Sequence, residues 1–168
     1  MNDIIKNSLL FISLILIQII VLNNILFLGY INPLLYILFI IVFPLRRDRG
    51  LLLILSFLLG LIIDFFLDSG GTNAAATVGI AYLRLPLLKA LMRKSEIDFP
   101  VFKVSKLPFT TLIYFIAILT FTHHLILFSI EYFKFSEITI ILSRTILTSI
   151  FTIILIIFSL LLMNKSKS

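Results

Sequence analysis

Residues 7–45 read NSLLFISLILIQIIVLNNILFLGYINPLLYILFIIVFPL and contain no charged side chain. Two further stretches, 107–130 and 145–164, are equally free of Asp, Glu, Lys and Arg. Uncharged apolar runs of about 18 residues or more are typical of helices that span a lipid bilayer. The sequence therefore predicts an integral membrane protein. It excludes a soluble enzyme, a nucleic-acid-binding module and a disordered chain.

The composition of the whole chain supports this class. Of 168 residues, 61% are hydrophobic and 13% are charged, whereas a soluble domain has about 25% charged residues. A chain of this length has room for one domain, so we expect a single transmembrane domain over residues 1–168. Because there is no cysteine, a disulfide framework and a thiolate metal site are excluded.

Six segments are predicted to cross the membrane, which makes the fold class an all-α integral membrane protein with six transmembrane helices. The segments are residues 4–22, 31–45, 51–67, 72–92, 108–128 and 137–163. The second is short for a bilayer and lies between Pro33 and Pro44. It either spans with local thinning of the bilayer or forms a re-entrant hairpin, and we favour a span.

The basic residues test this arrangement. With six spans, eleven Lys and Arg residues fall on one side of the membrane, only Lys134 falls in the loops of the other side, and Arg84 and Arg144 lie within spans. The eleven are Lys6, Arg46, Arg47, Arg49, Lys89, Arg93, Lys94, Lys103, Lys106, Lys165 and Lys167. Since cytoplasmic loops carry the excess of basic residues, both termini are predicted to be cytoplasmic.

The connections between the predicted spans are too short for a folded domain outside the membrane. Residues 97–106 alternate apolar and basic side chains around Pro100. We interpret them as a stretch that lies on anionic headgroups. A docking site for a cytosolic partner is the alternative.

Polar residues recur every four positions on the third predicted helix, at Ser56, Gly60, Asp64 and Asp68. This spacing places them on one face, where the small residues allow another helix to approach closely. Three interpretations of Asp64 remain open. It is hydrogen-bonded to a helix terminus or to the 69–73 turn, it couples an ion or proton, or it contacts a partner.

The segment that follows predicts a tight turn and a closely packed fourth helix. Gly70 and Gly71 can supply the positive φ angles of a turn. Ala75 and Gly79 form a small-xxx-small pair that is expected to face the third helix. Arg84 is expected to extend towards the inner headgroups.

Other polar residues lie on the last two predicted helices. His123 and His124 are adjacent, so their side chains point about 100° apart and do not chelate one ion in the i, i+4 manner. Thr145, Ser149 and Thr152 share a face and are expected to form hydrogen bonds between helices. We expect no catalytic, cofactor-binding or metal-binding residue.

Several short motifs occur in a characteristic order in the first half of the chain. They are LNNI at 22–25, GYINP at 29–33, GLIID at 60–64, GGTN at 70–73, AAA at 74–76 and AYLR at 81–84. The combination resembles the rod shape-determining protein family MreD, in the version found in Bacteroidetes. Asn73 departs from the pattern, since many relatives carry His there.

The resemblance implies a non-enzymatic membrane component of the bacterial elongation complex, located in the cytoplasmic (inner) membrane. It implies binding to MreC and support of lateral peptidoglycan synthesis and cell shape, with MreB, RodA and RodA's partner transpeptidase as further candidate partners. No cofactor and no nucleic acid is expected, and the lipid bilayer is the remaining contact. The candidate positions for the partner interface or for helix packing are Gly60, Asp64, Gly70, Gly71, Tyr82 and Arg84.

The family is also similar in fold to the membrane substrate-binding subunits of energy-coupling-factor transporters. This keeps a second function open, namely a vitamin-binding or transport subunit. Such a subunit needs a polar pocket open to the outside. Asn23, Asn24, Asn73 and His123 are the residues expected near it.

Overall fold

A computed structural model of the chain describes residues 3–25, 29, 31–45, 49–93, 104, 107–133 and 135–165. These residues form helices and connecting segments and contain no strand. Their α-helices are α1 (Asp3–Leu16), α2 (Ile37–Val42), α3 (Gly50–Leu67), α4 (Thr72–Met92), α5 (Phe109–Tyr132) and α6 (Ile138–Lys165). The all-α prediction is confirmed.

Five helical stretches in the described part are long and apolar enough to cross a membrane. They are Ile4–Asn24, Gly50–Leu67, Thr72–Met92, Phe109–Tyr132 and Ile138–Met163. Residues 97–106, which were predicted to lie on anionic headgroups, fall outside the described residues except for Val104. The helical part of the prediction therefore holds for five of the six predicted spans, and the second span differs.

The first spanning stretch is not a regular α-helix throughout. After α1 the chain forms a π-helical turn, Ile17–Val21, and then a short 3-10 turn, Leu22–Asn24. A π-helical turn changes the direction in which the following side chains point, and such turns are frequent at functional sites. Here the turn contains Gln18, whose side chain is fully buried in the bundle.

Residues 31–45, which we call the core segment, have only a short helix. The six residues of α2 are about 9 Å long, whereas the hydrocarbon layer is about 30 Å thick. Nearly every residue of the segment is buried, and Tyr36, Ile37, Ile40 and Ile41 are completely so. Non-helical backbone is tolerated at membrane depth where protein surrounds it. The segment is thus the centre of the bundle and not a lipid-facing helix.

The core segment runs in the same direction as α4. Its Tyr36 contacts Asn73 in the first turn of α4, and the backbone of Phe43 contacts Arg84 further along the same helix. From residue 73 to residue 84 the helix rises about 16 Å at 1.5 Å per residue. The second and fourth of six successive spans run in the same direction, so the core segment has the direction expected of the predicted second span.

At Gly60, α3 approaches α4 closely. A Cβ atom at this position would lie 2.6 Å from the backbone nitrogen of Ala74 and 2.5 Å from Oγ1 of Thr77. Real Cβ atoms do not come this close to backbone atoms. Thr77 fixes the contact further, since its hydroxyl donates to the carbonyl of Ser56 on α3 at 2.9 Å.

The predicted packing of Ala75 and Gly79 against α3 is wrong. Ala75 is exposed, and a Cβ atom at Gly79 would meet Cδ1 of Ile126 on α5 at 2.9 Å. The face of α4 that meets α3 contains Ala74 and Thr77 instead. The small residues of α4 therefore serve two neighbouring helices.

Consecutive long helices are direct neighbours, α3 with α4, α4 with α5 and α5 with α6. Because their directions alternate, α3 and α5 begin at the same end of the bundle at which α4 and α6 finish. We call this the basic end, because Arg49, Lys89 and Arg93 lie there. The outer surface between the two ends is largely apolar, as a lipid-facing surface is, with side chains such as Phe65 and Ile154 exposed.

Candidate functional site: a buried polar chain through the bundle

Asp64, in the last turns of α3, binds the start of α4. Its Oδ1 accepts hydrogen bonds from Ser69 Oγ at 2.6 Å, from the backbone nitrogen of Asn73 at 2.9 Å and from Asn73 Nδ2 at 3.0 Å. Its Oδ2 accepts from the backbone nitrogen of Ala74 at 2.8 Å. The first N–H groups of a helix lack partners inside the helix, and Asp64 supplies them. Of the three interpretations of Asp64, the geometry shows the hydrogen-bonded one.

The turn between α3 and α4 makes this capping possible. Asp68 ends α3 in the left-handed conformation with φ of 52°, and Gly70 and Gly71 follow with φ of 64° and 94°. Open space surrounds both glycines, so it is the backbone conformation that requires them. The expectation that they supply positive φ angles is confirmed.

A tyrosine extends the polar chain from α4 to α5. The hydroxyl of Tyr36 donates to Asn73 Oδ1 at 2.5 Å and lies 3.3 Å from Nε2 of His123. Tyr36 and His123 are both completely buried, and the His123 ring nitrogen Nδ1 has no hydrogen-bond partner in the described part of the chain. Asn73, which stands where the resemblance expects His, thus connects Asp64 with the core segment.

His124 belongs to a second set of contacts. Its Nδ1 lies 2.7 Å from the carbonyl oxygen of Thr120, so Nδ1 carries the proton and Nε2 is an acceptor. Nε2 lies 3.4 Å from Thr152 Oγ1, which accepts a hydrogen bond from the backbone nitrogen of Leu34 at 3.1 Å. The two histidines therefore have separate partners.

Gln18 is a third anchor of the core segment and, like Tyr36, was not predicted from the sequence. Its Oε1 accepts from the backbone nitrogen of Leu35 at 2.8 Å, and its Nε2 donates to the carbonyl of Pro33 at 3.1 Å and to Asn23 Oδ1 at 3.0 Å. The available signal was a lone amide in an uncharged apolar run, because such a side chain has to find a partner in the membrane.

The predicted row of hydroxyls on α6 takes part only at one position. Thr152 has the contacts described above, whereas the hydroxyls of Thr145 and Ser149 are buried and find no partner among the residues that the structure describes. The expectation of hydrogen bonds between helices is therefore confirmed for Thr152 and wrong for Thr145 and Ser149.

The structure gathers four of the six candidate site residues and separates the other two. Gly60, Asp64, Gly70 and Gly71 lie together in the α3–α4 hairpin. Tyr82 is 62% exposed on the outside of α4, so it does not pack within the bundle.

Arg84 is 1% exposed, so the expectation that its side chain extends over the outer surface to the headgroups is wrong, and it lies inside the bundle. Its Nη2 donates to the backbone carbonyls of Ile41, at 3.1 Å, and Phe43. It therefore fastens the far end of the core segment, whereas Gln18 and Thr152 fasten the near end.

The chemical role of these polar side chains is to form hydrogen bonds with the core segment. Side chains from the π-helical turn after α1, from α4 and from α6 satisfy the backbone of a segment that is mostly not helical. In the part of the chain that the structure describes, no group of three or more His, Cys, Asp or Glu could hold a metal ion.

Comparison with known proteins finds no family model, no curated protein and no solved structure that matches this chain.

Proposed function

We propose that this chain is an MreD-like, non-enzymatic membrane component of the bacterial elongation complex and that it binds MreC. The observation that carries the proposal is the α3–α4 hairpin. It is closed on itself by Gly60 and Asp64, within the same stretch, 60–84, that contains most of the motifs resembling the family. A rigid helical hairpin with an exposed outer face is a suitable surface for a membrane partner.

The hydrogen bonds of Asp64 support a role in assembly rather than a role in coupling an ion or proton. Among the described residues, the hydrogen bonds that its carboxylate accepts come from Ser69, Asn73 and Ala74, within the hairpin. An ion or proton pathway needs groups that change partners. Here the donors also form the turn and the helix start, so losing them opens the hairpin.

The same proposal places the basic end in the cytoplasm, in the inner membrane. Arg49, Lys89 and Arg93 lie at this end, and the positive-inside rule assigns it to the cytoplasmic side. Asp68 and Glu131 lie at the opposite end of the bundle. Both termini are then cytoplasmic if the core segment crosses the membrane.

The test is co-purification of MreC with the tagged chain from detergent, using Tyr82→Ala as the interface variant. Tyr114 on α5 is 62% exposed, as Tyr82 is, so Tyr114→Ala is a matched control. We expect Tyr82→Ala to reduce capture of MreC severalfold and Tyr114→Ala to leave it unchanged. Equal capture by both variants contradicts the interface on α4, and no capture by the wild-type chain contradicts the function.

A vitamin-binding or transport subunit is the alternative, and unpartnered polar atoms favour it. Three buried polar atoms on α5 and α6 have no hydrogen-bond partner within the described ranges, namely His123 Nδ1 and the hydroxyls of Thr145 and Ser149. A small polar molecule would satisfy such groups. Mass spectrometry of the purified protein distinguishes the two functions, since a vitamin present at one per chain would overturn the assembly role.

A further inference from the structure

Arg84 is a buried cation, and part of its guanidinium does not form hydrogen bonds with the surrounding residues that the structure describes. Its Nη2 donates to two backbone carbonyls, but among the described residues Nε and Nη1 have no hydrogen-bond partner. Both acceptors are neutral, so they do not balance the charge of the guanidinium. A buried charge is costly unless it is paired and its hydrogen bonds are made. The part of the chain that the structure describes offers this guanidinium no carboxylate, so a bound anion would complete its surroundings.

A cavity lies beside this guanidinium. Its volume is about 20 Å³, which is room for one water-sized group. Arg49 lines the same cavity and is exposed, so the cavity reaches the surface of the protein. The rest of its wall is apolar, with Leu45, Leu52 and Leu85 among the contributors.

The cavity lies at the depth of the lipid headgroups. Arg49 directly precedes α3, and Leu52 is in its first turn, so the cavity is level with the start of a spanning helix. Headgroups lie just beyond the hydrocarbon layer, where spanning helices begin and end. Lys89 on α4 and Arg93 directly after it add positive charge at this same end of the bundle.

We propose that this cavity binds the phosphate group of an anionic phospholipid. One phosphate oxygen enters the cavity and accepts a hydrogen bond from Arg84, and the remainder of the phosphate pairs with Arg49 at the surface. The apolar wall lies beside the lipid chains. Basic pockets between transmembrane helices bind anionic headgroups in this way. The inference does not depend on the proposed role in the elongation complex.

Native mass spectrometry of the detergent-purified chain, titrated with dioleoylphosphatidylglycerol or with dioleoylphosphatidylcholine, tests the site. We expect one phosphatidylglycerol to bind more tightly than phosphatidylcholine. Arg84→Gln should weaken phosphatidylglycerol binding by about tenfold or more, since a hydrogen bond to a charged group is lost. Lys6→Gln removes one positive charge from an exposed position on α1 outside the cavity lining and should leave binding near the wild-type value.

A second variant and a second readout protect the test against misfolding. Ala81 lines the cavity, so Ala81→Leu fills it while the guanidinium is kept, and the preference for phosphatidylglycerol should disappear. The rise in melting temperature on adding phosphatidylglycerol is measured within each variant, which removes differences in basal stability. We expect this rise in the wild-type chain and in Lys6→Gln only.

Two results overturn the proposal. Equal phosphatidylglycerol affinity in the wild-type chain and in Arg84→Gln shows that the cavity is not the site. Full stabilisation of the wild-type chain by inorganic phosphate, with no further effect of phosphatidylglycerol, shows that the site takes a soluble anion and not a lipid.

Discussion

Replacing Asp64 by Asn should destabilise the protein by about 2–4 kcal/mol, because the Asn side chain has one acceptor oxygen whereas the Asp carboxylate has two. The amide oxygen can keep the donors from Ser69 and Asn73. The amide nitrogen then faces the backbone N–H of Ala74, which is left buried without an acceptor at a cost of about 1–3 kcal/mol. The hydrogen bonds that remain lose the assistance of the charge. The start of α4 also loses a negative charge worth about 0.3–1 kcal/mol.

The assay is unfolding of the purified chain in dodecyl maltoside micelles by added sodium dodecyl sulfate, followed by circular dichroism. Asp68→Asn is the matched control, because Asp68 lies four residues further along, is exposed and has a left-handed conformation that Asn also adopts. It should change the free energy of unfolding by no more than about 0.5 kcal/mol. Membrane insertion of Asp64→Asn should be normal, since a neutral side chain enters hydrocarbon more readily.

A loss of less than about 0.5 kcal/mol in Asp64→Asn, within the range of an ordinary surface substitution, would refute the reasoning, as would equal losses in the two variants. Either result means that the carboxylate does not hold the two helices together. Asp64→Ala extends the test to cells, where we expect normal insertion and impaired rod shape. Normal rod growth in that variant at the normal protein level would contradict the role of the hairpin in assembly.

The same unfolding assay tests three further contacts. Gly60→Ala should destabilise by about 1–3 kcal/mol through overlap with the backbone of the next helix, whereas Gly79→Ala meets only the end of a flexible side chain and should be close to neutral; similar effects of the two would contradict the close approach. Thr152→Val should cost about 1–3 kcal/mol because a buried backbone N–H loses its acceptor, and Thr145→Val should cost nothing or stabilise because its hydroxyl has no partner. Tyr36→Phe should cost about 1–2 kcal/mol by leaving a buried amide oxygen unpaired, and an unchanged midpoint would show that this hydrogen bond is dispensable.

The lipid-facing helices could be predicted closely from the sequence. The predicted spans 51–67 and 72–92 agree with α3 (Gly50–Leu67) and α4 (Thr72–Met92) to within one residue. In hydrocarbon a continuous apolar run has to satisfy its own backbone, and the helix is the one local solution. Residues 31–45 have the same hydropathy, but protein surrounds them. Hydropathy does not tell a segment in lipid from one inside a bundle.

The site was predictable where its contacts are local in sequence. Asp64 and the turn that it binds lie within ten residues of each other, so spacing and turn chemistry pointed to the contact. The hydrogen bond from Tyr36 to Asn73 and the one from Thr152 to the core segment join distant parts of the chain. Spacing carries no information on such pairs. The burial of Arg84 was missed for the same reason, since it depends on where the core segment lies.

The hydrogen bonds of the core segment can form only in a certain order while the chain is being synthesised. The acceptor for the backbone nitrogen of Leu34 is Thr152, 118 residues later in the chain. At roughly 5–20 residues per second, synthesis of that interval takes about 6–24 s. During this time Gln18 has already been made, Arg84 is synthesised part-way through the interval, and Thr152 on α6 is still missing. The middle of the bundle therefore closes last, after the ribosome has delivered the final helix, although its residues are among the first to reach the membrane.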